Sequence, residues 1–230
     1  FINTCMMVTL SGAAVSDALD DGRVVSGVGG QYNFVAMAHE LPDARSVLML
    51  RSWRMHDGKP QSNIVTHYAH CTIPRHLRDI VVTEYGVADL RGKSDSAVIA
   101  ALIGIADSRF QQALCDWAKL HGKLAVDYEI PERFRSNTPE NIHTTLRQFR
   151  DQLPDFPFGH DFTDDELVIV KALQKLKSVS SSPLDLLKTV ITSIFADKDV
   201  PERYLERMGL DEATSLKEKL LRKIFSGNIG

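Results

Sequence analysis

The feature that most constrains the fold is an alternation over the first half of the chain. Short apolar or β-branched runs recur through residues 1–93: TCMMVTL (4–10), GRVVSG (22–27), RSVLML (45–50), SNIVTHY (62–68) and RDIVVTEYG (78–86). Gly, Pro, Asn or Asp residues bound them, as expected of strands closed by turns. Between the second and third runs, QYNFVAMAHELPDA carries Phe34, Met37, Ala38 and Leu41 at helical spacing, and Pro42 closes it. A single helix is predicted over about 95–121, where Ile99, Leu102, Ile103, Ala106, Phe110, Leu114 and Trp117 repeat at three- and four-residue steps before Gly122. Strands alternating with helices predict an α/β domain with an at least partly parallel sheet.

The remainder reads differently. Residues 125–160 hold four prolines and the aromatic run LPDFPFGHDF, a stretch expected to wrap over a core. Thr163 with Glu166 forms a capping box that opens a helix to about Lys177. SVSSSP, 178–183, reads as a linker. Beyond it Leu184, Leu187, Ile191 and Ile194 make one helical stripe, Pro201 and Gly209 bracket a second helix, and Ser215 with Glu218 boxes a third. The expected division is thus a domain over 1–177, a linker over 178–183 and a helical appendage over 184–230. The first residues, FINTCMMVTL, open inside a strand-like run without an initiator Met, so the chain is expected to be the later part of a longer protein.

Composition excludes some functions. A net charge of −3 offers no field to gather nucleic-acid phosphates, and no apolar run approaches the ~20 residues of a membrane helix. Cys5, Cys71 and Cys115 are odd in number and unpatterned, which points to free thiols in a cytoplasmic setting.

Three constellations could carry chemistry. The turn in VVSGVGGQYNF crowds Gly27, Gly29 and Gly30 into four positions. A dinucleotide fingerprint would need a third glycine where Tyr32 stands, and the RGKS at 91–94 lacks the leading Walker glycine at Val87. What remains is a strand-turn-helix junction, either a steric relief or a set of amides able to hold an oxyanion. HYAHCTIPRH gathers His67, His70, Cys71 and His76, but the spacing fits no common structural zinc pattern and no metal is expected. In VVTEYGVADLRGKS, Glu84 ends a β-branched run beside Gly86. It could meet a ligand at a sheet edge, or pair with Arg78, Arg91 or Lys93.

SGVGGQYNF, followed some fifty residues later by DIVVTEYGVADLRGKS and preceded by NTCMMVTLSGAAVSD, resembles the C-terminal domain of the acetyl-CoA hydrolase/transferase family, which includes 4-hydroxybutyrate and acetate CoA-transferases. The resemblance covers residues 1 to about 150. It implies a CoA-transferase-like α/β domain with a mostly helical C-terminal extension. It also implies acyl-CoA and a small carboxylate as substrates, with coenzyme A thioester as substrate rather than bound cofactor, and a homo-oligomer. Catalysis would pass through a glutamyl-CoA thioester.

On this resemblance Gly29 and Gly30 are the candidates for an oxyanion-binding amide. Gly27, Val28, Gln31, Asn33 and Gly86 would line the substrate or CoA site. Glu84 would support catalysis without being the nucleophile, which the family carries upstream of the matched segment. The chain alone is therefore expected to be catalytically incomplete. A CoA-binding module without chemistry, or an oligomerisation piece, are the alternatives.

Overall fold

In a computed structural model, residues 1–154, 156–180, 188, 191–193 and 200–229 are described. They divide into two compact units, Phe1–Leu153 and Pro154–Gly230.

The first unit is organised by a four-stranded sheet. Its strands β1 (Ile2–Thr4), β4 (Val47–Met49) and β8 (Ile80–Thr83) run parallel, and β9 (Gly86–Asp89) returns antiparallel to β8. A second sheet pairs β2 (Met7–Thr9) antiparallel with β3 (Ala14–Val15) and parallel with β7 (Ile64–Val65). The parallel pairings need long crossovers, and the intervening segments supply them. The α/β reading is therefore borne out. Val8, Leu10, Ile64, Leu90, Val98, Leu102 and Ile103, from both sheets and the helix beneath them, are almost wholly buried in one cluster.

Four elements depart from the sequence reading. Val24 and Val25 form no strand: only an isolated bridge joins Ala18 to Val24, and both valines are exposed. The Asp20–Arg23 turn folds the chain back so that the amides of Val25 and Ser26 both donate to the Asp17 carbonyl. Helix α1 (Gln31–Glu40) exists as expected, but it buries Gln31, Val35 and Ala38 while Phe34, Met37 and Leu41 face outward. The single helix expected over 95–121 is two, α2 (Asp95–Gly104) and α3 (Ser108–Leu120), because the buried Asp107 caps α3 by accepting the Arg109 amide. Lastly, β5 (Trp53–His56) and β6 (Lys59–Ser62) form a hairpin around Asp57-Gly58, both at positive φ. Asp-Gly is the residue pair that such a two-residue turn favours.

Helix α3 ends as its sequence requires. Gly122 lies at φ +63, its amide donates to Lys119 and that of Lys123 to Ala118, so the last carbonyls are satisfied in a Schellman motif. Residues 125–137 do wrap the core, with Ile130 buried and the Asn137 amide nitrogen donating to the carbonyls of Gly104 and Ala106. Thr138-Pro139 then starts a further helix, α4 (Pro139–Arg147), which the proline count concealed.

The described part of the second unit contains α5 (Asp164–Ser180), α6 (Glu202–Arg207) and α7 (Leu216–Asn228), around a cluster that includes Ile169, Ala172, Tyr204, Leu205 and Phe225. Both capping boxes form, at Thr163/Glu166 and Ser215/Glu218. The first three positions of the segment read as a linker are helical. Its last three, and Leu184, Leu187 and Ile194 of the stripe beyond, lie outside the described residues.

Candidate functional site

Strands β1, β4 and β8 point the same way, so Thr4, Met49 and Thr83 share one edge of the sheet. Cys5, Leu50, Arg51 and Glu84 follow them into a cavity of about 480 Å³. Ligands of open α/β sheets bind outside the carboxyl ends of parallel strands. Thr4, Met49 and Val82 are register partners, so the β1 and β8 ends lie about 10 Å apart at the usual strand spacing.

The glycine turn is fixed to this edge. The side chain of Gln31, the first residue of α1, is buried and donates from Nε2 to the Thr4 carbonyl at 2.9 Å. Gly30 is the helix N-cap (φ −87, ψ 0) and Gly29 is left-handed at φ +58. Among the described residues neither glycine amide meets an acceptor. Both stand at the positive end of a ten-residue helix. A Cβ on Gly29 would touch nothing within 4 Å, whereas one on Gly30 would meet the Phe34 ring at 2.9 Å. Gly27, Val28 and Asn33 are exposed around the turn.

A brace that the sequence did not announce holds the loop before the turn. The Asp17 carbonyl accepts the amides of Val25 and Ser26, and Ser26 Oγ donates to Ser16. The Asp17 carboxylate in turn binds the Thr72 hydroxyl and His70 Nε2, the latter at 2.9 Å. These two hydrogen bonds hold the carboxyl below the usual carboxylate range. One histidine of the His/Cys cluster thus has a structural task. His67 bonds the Thr66 hydroxyl, Cys71 is exposed and His76 sits in a 3₁₀ turn. Among the described residues no three His, Cys, Asp or Glu side chains converge as metal ligands.

Glu84 lies in the two-residue turn between β8 and β9 and pairs with none of the three expected cations. Arg78 binds Asp95, Arg91 binds Asp89 and Lys93 donates to the Asp89 carbonyl. Instead both Glu84 oxygens accept from Ser52, Oε2 from its amide and Oε1 from its hydroxyl, each at 2.8 Å. Ser52 is fully buried, so the carboxylate is held from beneath while its other side meets solvent. Gly86 is extended and pairs with Thr83, completing the hairpin that presents Glu84.

Beside Glu84 a second cavity, about 610 Å³, is walled by Arg51, Trp53, Tyr85, Ile142 and Leu146. Two of its lining residues, Tyr85 and Trp53, belong to a network absent from the sequence reading. The Tyr85 hydroxyl donates to Asp107 at 2.7 Å, Arg109 grips both Asp107 oxygens at 2.8 Å, and its guanidinium stacks 4.3 Å over Trp53. Burial pushes the Asp107 carboxyl up, but Arg109 and Tyr85 together outweigh it and hold it low. Burial, and then Asp107, raise the Tyr85 phenol well above its usual range.

An α/β domain with a glycine turn and a held carboxylate at the C-terminal edge of its parallel strands belongs to the class whose ligands sit at strand ends. Comparison makes that narrower. Residues 1–118 match the acetyl-CoA hydrolase/transferase C-terminal domain, and the chain belongs to that family. The 4-hydroxybutyrate coenzyme A transferase of Clostridium kluyveri is 35% identical over 117 residues, 49% of this chain and 26% of that protein. The probable butyrate:acetyl-CoA coenzyme A-transferase of Syntrophomonas wolfei is 35% identical over 116 residues, with the same shares covered. The match thus spans about a quarter of these relatives' length. Among solved structures, RipA from Yersinia pestis is similar at 29% identity and TM-score 0.48, over 53% of this chain and 27% of that one. A 4-hydroxybutyrate CoA-transferase from Porphyromonas gingivalis is similar at 29% identity and TM-score 0.41, over 52% and 26%.

Proposed function

We propose that this chain supplies the oxyanion-binding turn and part of the CoA cleft of an acyl-CoA:carboxylate CoA-transferase or acetyl-CoA hydrolase. The observation that carries the reading is a pair of glycine amides without acceptors, pinned by Gln31 to the sheet edge that also bears Glu84. A glutamate outside these residues attacks the thioester carbonyl, the C–S bond breaks and CoA leaves as thiolate. The thiolate then attacks the acyl-glutamyl anhydride, giving a glutamyl-CoA thioester and the free acid. A second carboxylate, or water, resolves that thioester. At each addition the carbonyl oxygen becomes negative, and the amides of Gly29 and Gly30 receive it. Each such donor contributes about 2.7–4 kcal/mol, or roughly 10²–10³ in kcat.

Glu84, its oxygens shared with Ser52, orients substrate rather than attacking. Gly27, Val28, Asn33 and Gly86 line the approach, and Gln31 holds the turn. The same reading includes a homo-oligomer working in the cytoplasm, with acyl-CoA and a small carboxylate as its small-molecule partners.

The test pairs a substitution with a trap. Gly29→Ala meets no neighbour, so it leaves the fold at the cost of about 1–2 kcal/mol for a left-handed alanine, yet its methyl fills the approach to the amide. In the full-length protein it should lower kcat by about two orders of magnitude. Unchanged turnover would remove the oxyanion role. Incubation with acetyl-CoA followed by borohydride and peptide mass spectrometry should leave Glu84 unmodified. Conversion of the Glu84 carboxyl to the alcohol, with loss of CoA, would make it the nucleophile.

A further inference from the structure

At the opposite edge of the same sheet lies a groove that the proposed chemistry does not use. It joins a cavity of about 480 Å³ to one of about 360 Å³, with Arg75 and Asp95 common to both walls. Arg78, Arg91 and Lys93 line the first cavity, and Lys123 and Trp117 the second. The positive end of α2 opens here, since Asp95 is its first residue. In a chain of net charge −3, five cations face one carboxylate across this groove. Behind them Asp79 and Asp89 hold Arg91, which leaves the cluster positive overall.

The groove is built rather than incidental. Arg78 is nearly buried and crosses Gly12, where a Cβ would strike its Cδ at 2.8 Å. It is fixed by the Ser11 and Lys93 carbonyls and by Asp95. Asp95 is shared by Arg75 and Arg78, each at 3.0 Å, so one carboxylate already occupies the position an anion would take. Capacity remains. Arg75 donates from Nη1 alone, and the Lys123 ammonium has no partner among the described residues. Guanidinium forks pair bidentately with phosphate as with carboxylate, and an added ammonium supplies a point charge for a group that carries more than one negative charge.

We propose that this groove binds a multiply charged phosphate group, either free or carried on a nucleotide. Its phosphates bridge Arg75 and Lys123, with Lys93 and Arg91 at the far end. Trp117, stacked by His121 at 4.1 Å on one side, borders the Lys123 end and reports occupancy. Binding is read without turnover, so the result is independent of the oxyanion assignment.

The chain has two tryptophans, so Trp53→Phe leaves Trp117 as the sole tryptophan, excited selectively at the red edge where tyrosine does not absorb. Titration of this variant with inorganic pyrophosphate, and separately with ADP, should give saturable fluorescence changes. Both should weaken as sodium chloride rises. Adding Arg75→Gln or Lys123→Gln should weaken binding about tenfold, the scale of one lost charge-assisted hydrogen bond. Tighter binding of ADP identifies a nucleotide as the carrier; equal or tighter binding of pyrophosphate identifies free phosphate. No saturable signal with either probe, or curves unmoved by both substitutions, would overturn the proposal.

Discussion

Asp17 shows how much a single side chain can control. Its carbonyl anchors the loop ahead of the glycine turn, and its carboxylate is held by Thr72 and His70. Because those bonds lower its pKa on folding, the carboxylate stabilises the fold above its unfolded value of about 3.9, and that stability disappears as pH falls through the lower folded value. Asp17→Asn should therefore be less stable than the parent at neutral pH, with the gap closing below about pH 4. Urea midpoints at several pH values measure this, and a gap constant across the range would show that the brace is not ionic. Cys5 gives a second prediction at this scale. Burial pushes its thiol up to about 12, so Ellman's reagent should find the exposed Cys71 first, react slowly with Cys5 at the cavity and reach the buried Cys115 only on unfolding. A glycine cluster ahead of a helix and a glutamate after a β-branched run were visible in the sequence. Ser52 and Asp17 were not, because each acts through a partner distant in the chain, as does Tyr85 with Asp107.

At the level of elements, what could be read was what local chemistry decides. The caps at Thr163 and Ser215 and the stop at Gly122 formed because their hydrogen bonds lie within one turn of the helix. Spacing alone did not decide which face of α1 is buried, since Phe34, Met37 and Leu41 keep helical spacing as well as Gln31, Val35 and Ala38 do. Spacing finds a helix; the neighbours choose its face. The break between α2 and α3 had a local sign, Asp107-Ser108 as cap and first residue, hidden beneath an unbroken apolar stripe. Asn137 seals that break, with two carbonyls as its acceptors. Asn137→Ala should cost about 1–3 kcal/mol by leaving the Gly104 carbonyl without this donor, Ala106 keeping Gln111, seen as a lower urea midpoint at unchanged slope. An unshifted midpoint would mean that the α2–α3 junction does not depend on it.

For the molecule as a whole, each unit has its own apolar cluster: Val8, Leu102, Ile103 and their neighbours in the first, Ile169, Leu205, Phe225 and theirs in the second. A fragment of residues 1–153 should therefore unfold as one cooperative transition, followed by circular dichroism. A broad, non-cooperative melt would show that the first unit requires the second. Phe34 and Met37 of α1 are exposed, as are Val24, Val25 and Val28, and no helix among the described residues is long and apolar enough to cross a membrane.

The brace on Asp17 also has a meaning in time. The turn at Gly29 is complete in sequence long before Thr72, the last residue that locks its loop, has been made. Roughly 40 residues separate them, about 2–8 s of synthesis at some 5–20 residues per second. Throughout that interval residues 17–30 can sample other arrangements. The Asp17 carboxylate acquires its two side-chain partners only once His70 and Thr72 have folded back onto it. A translational pause between residues 30 and 72 would thus lengthen the time this loop spends without its brace.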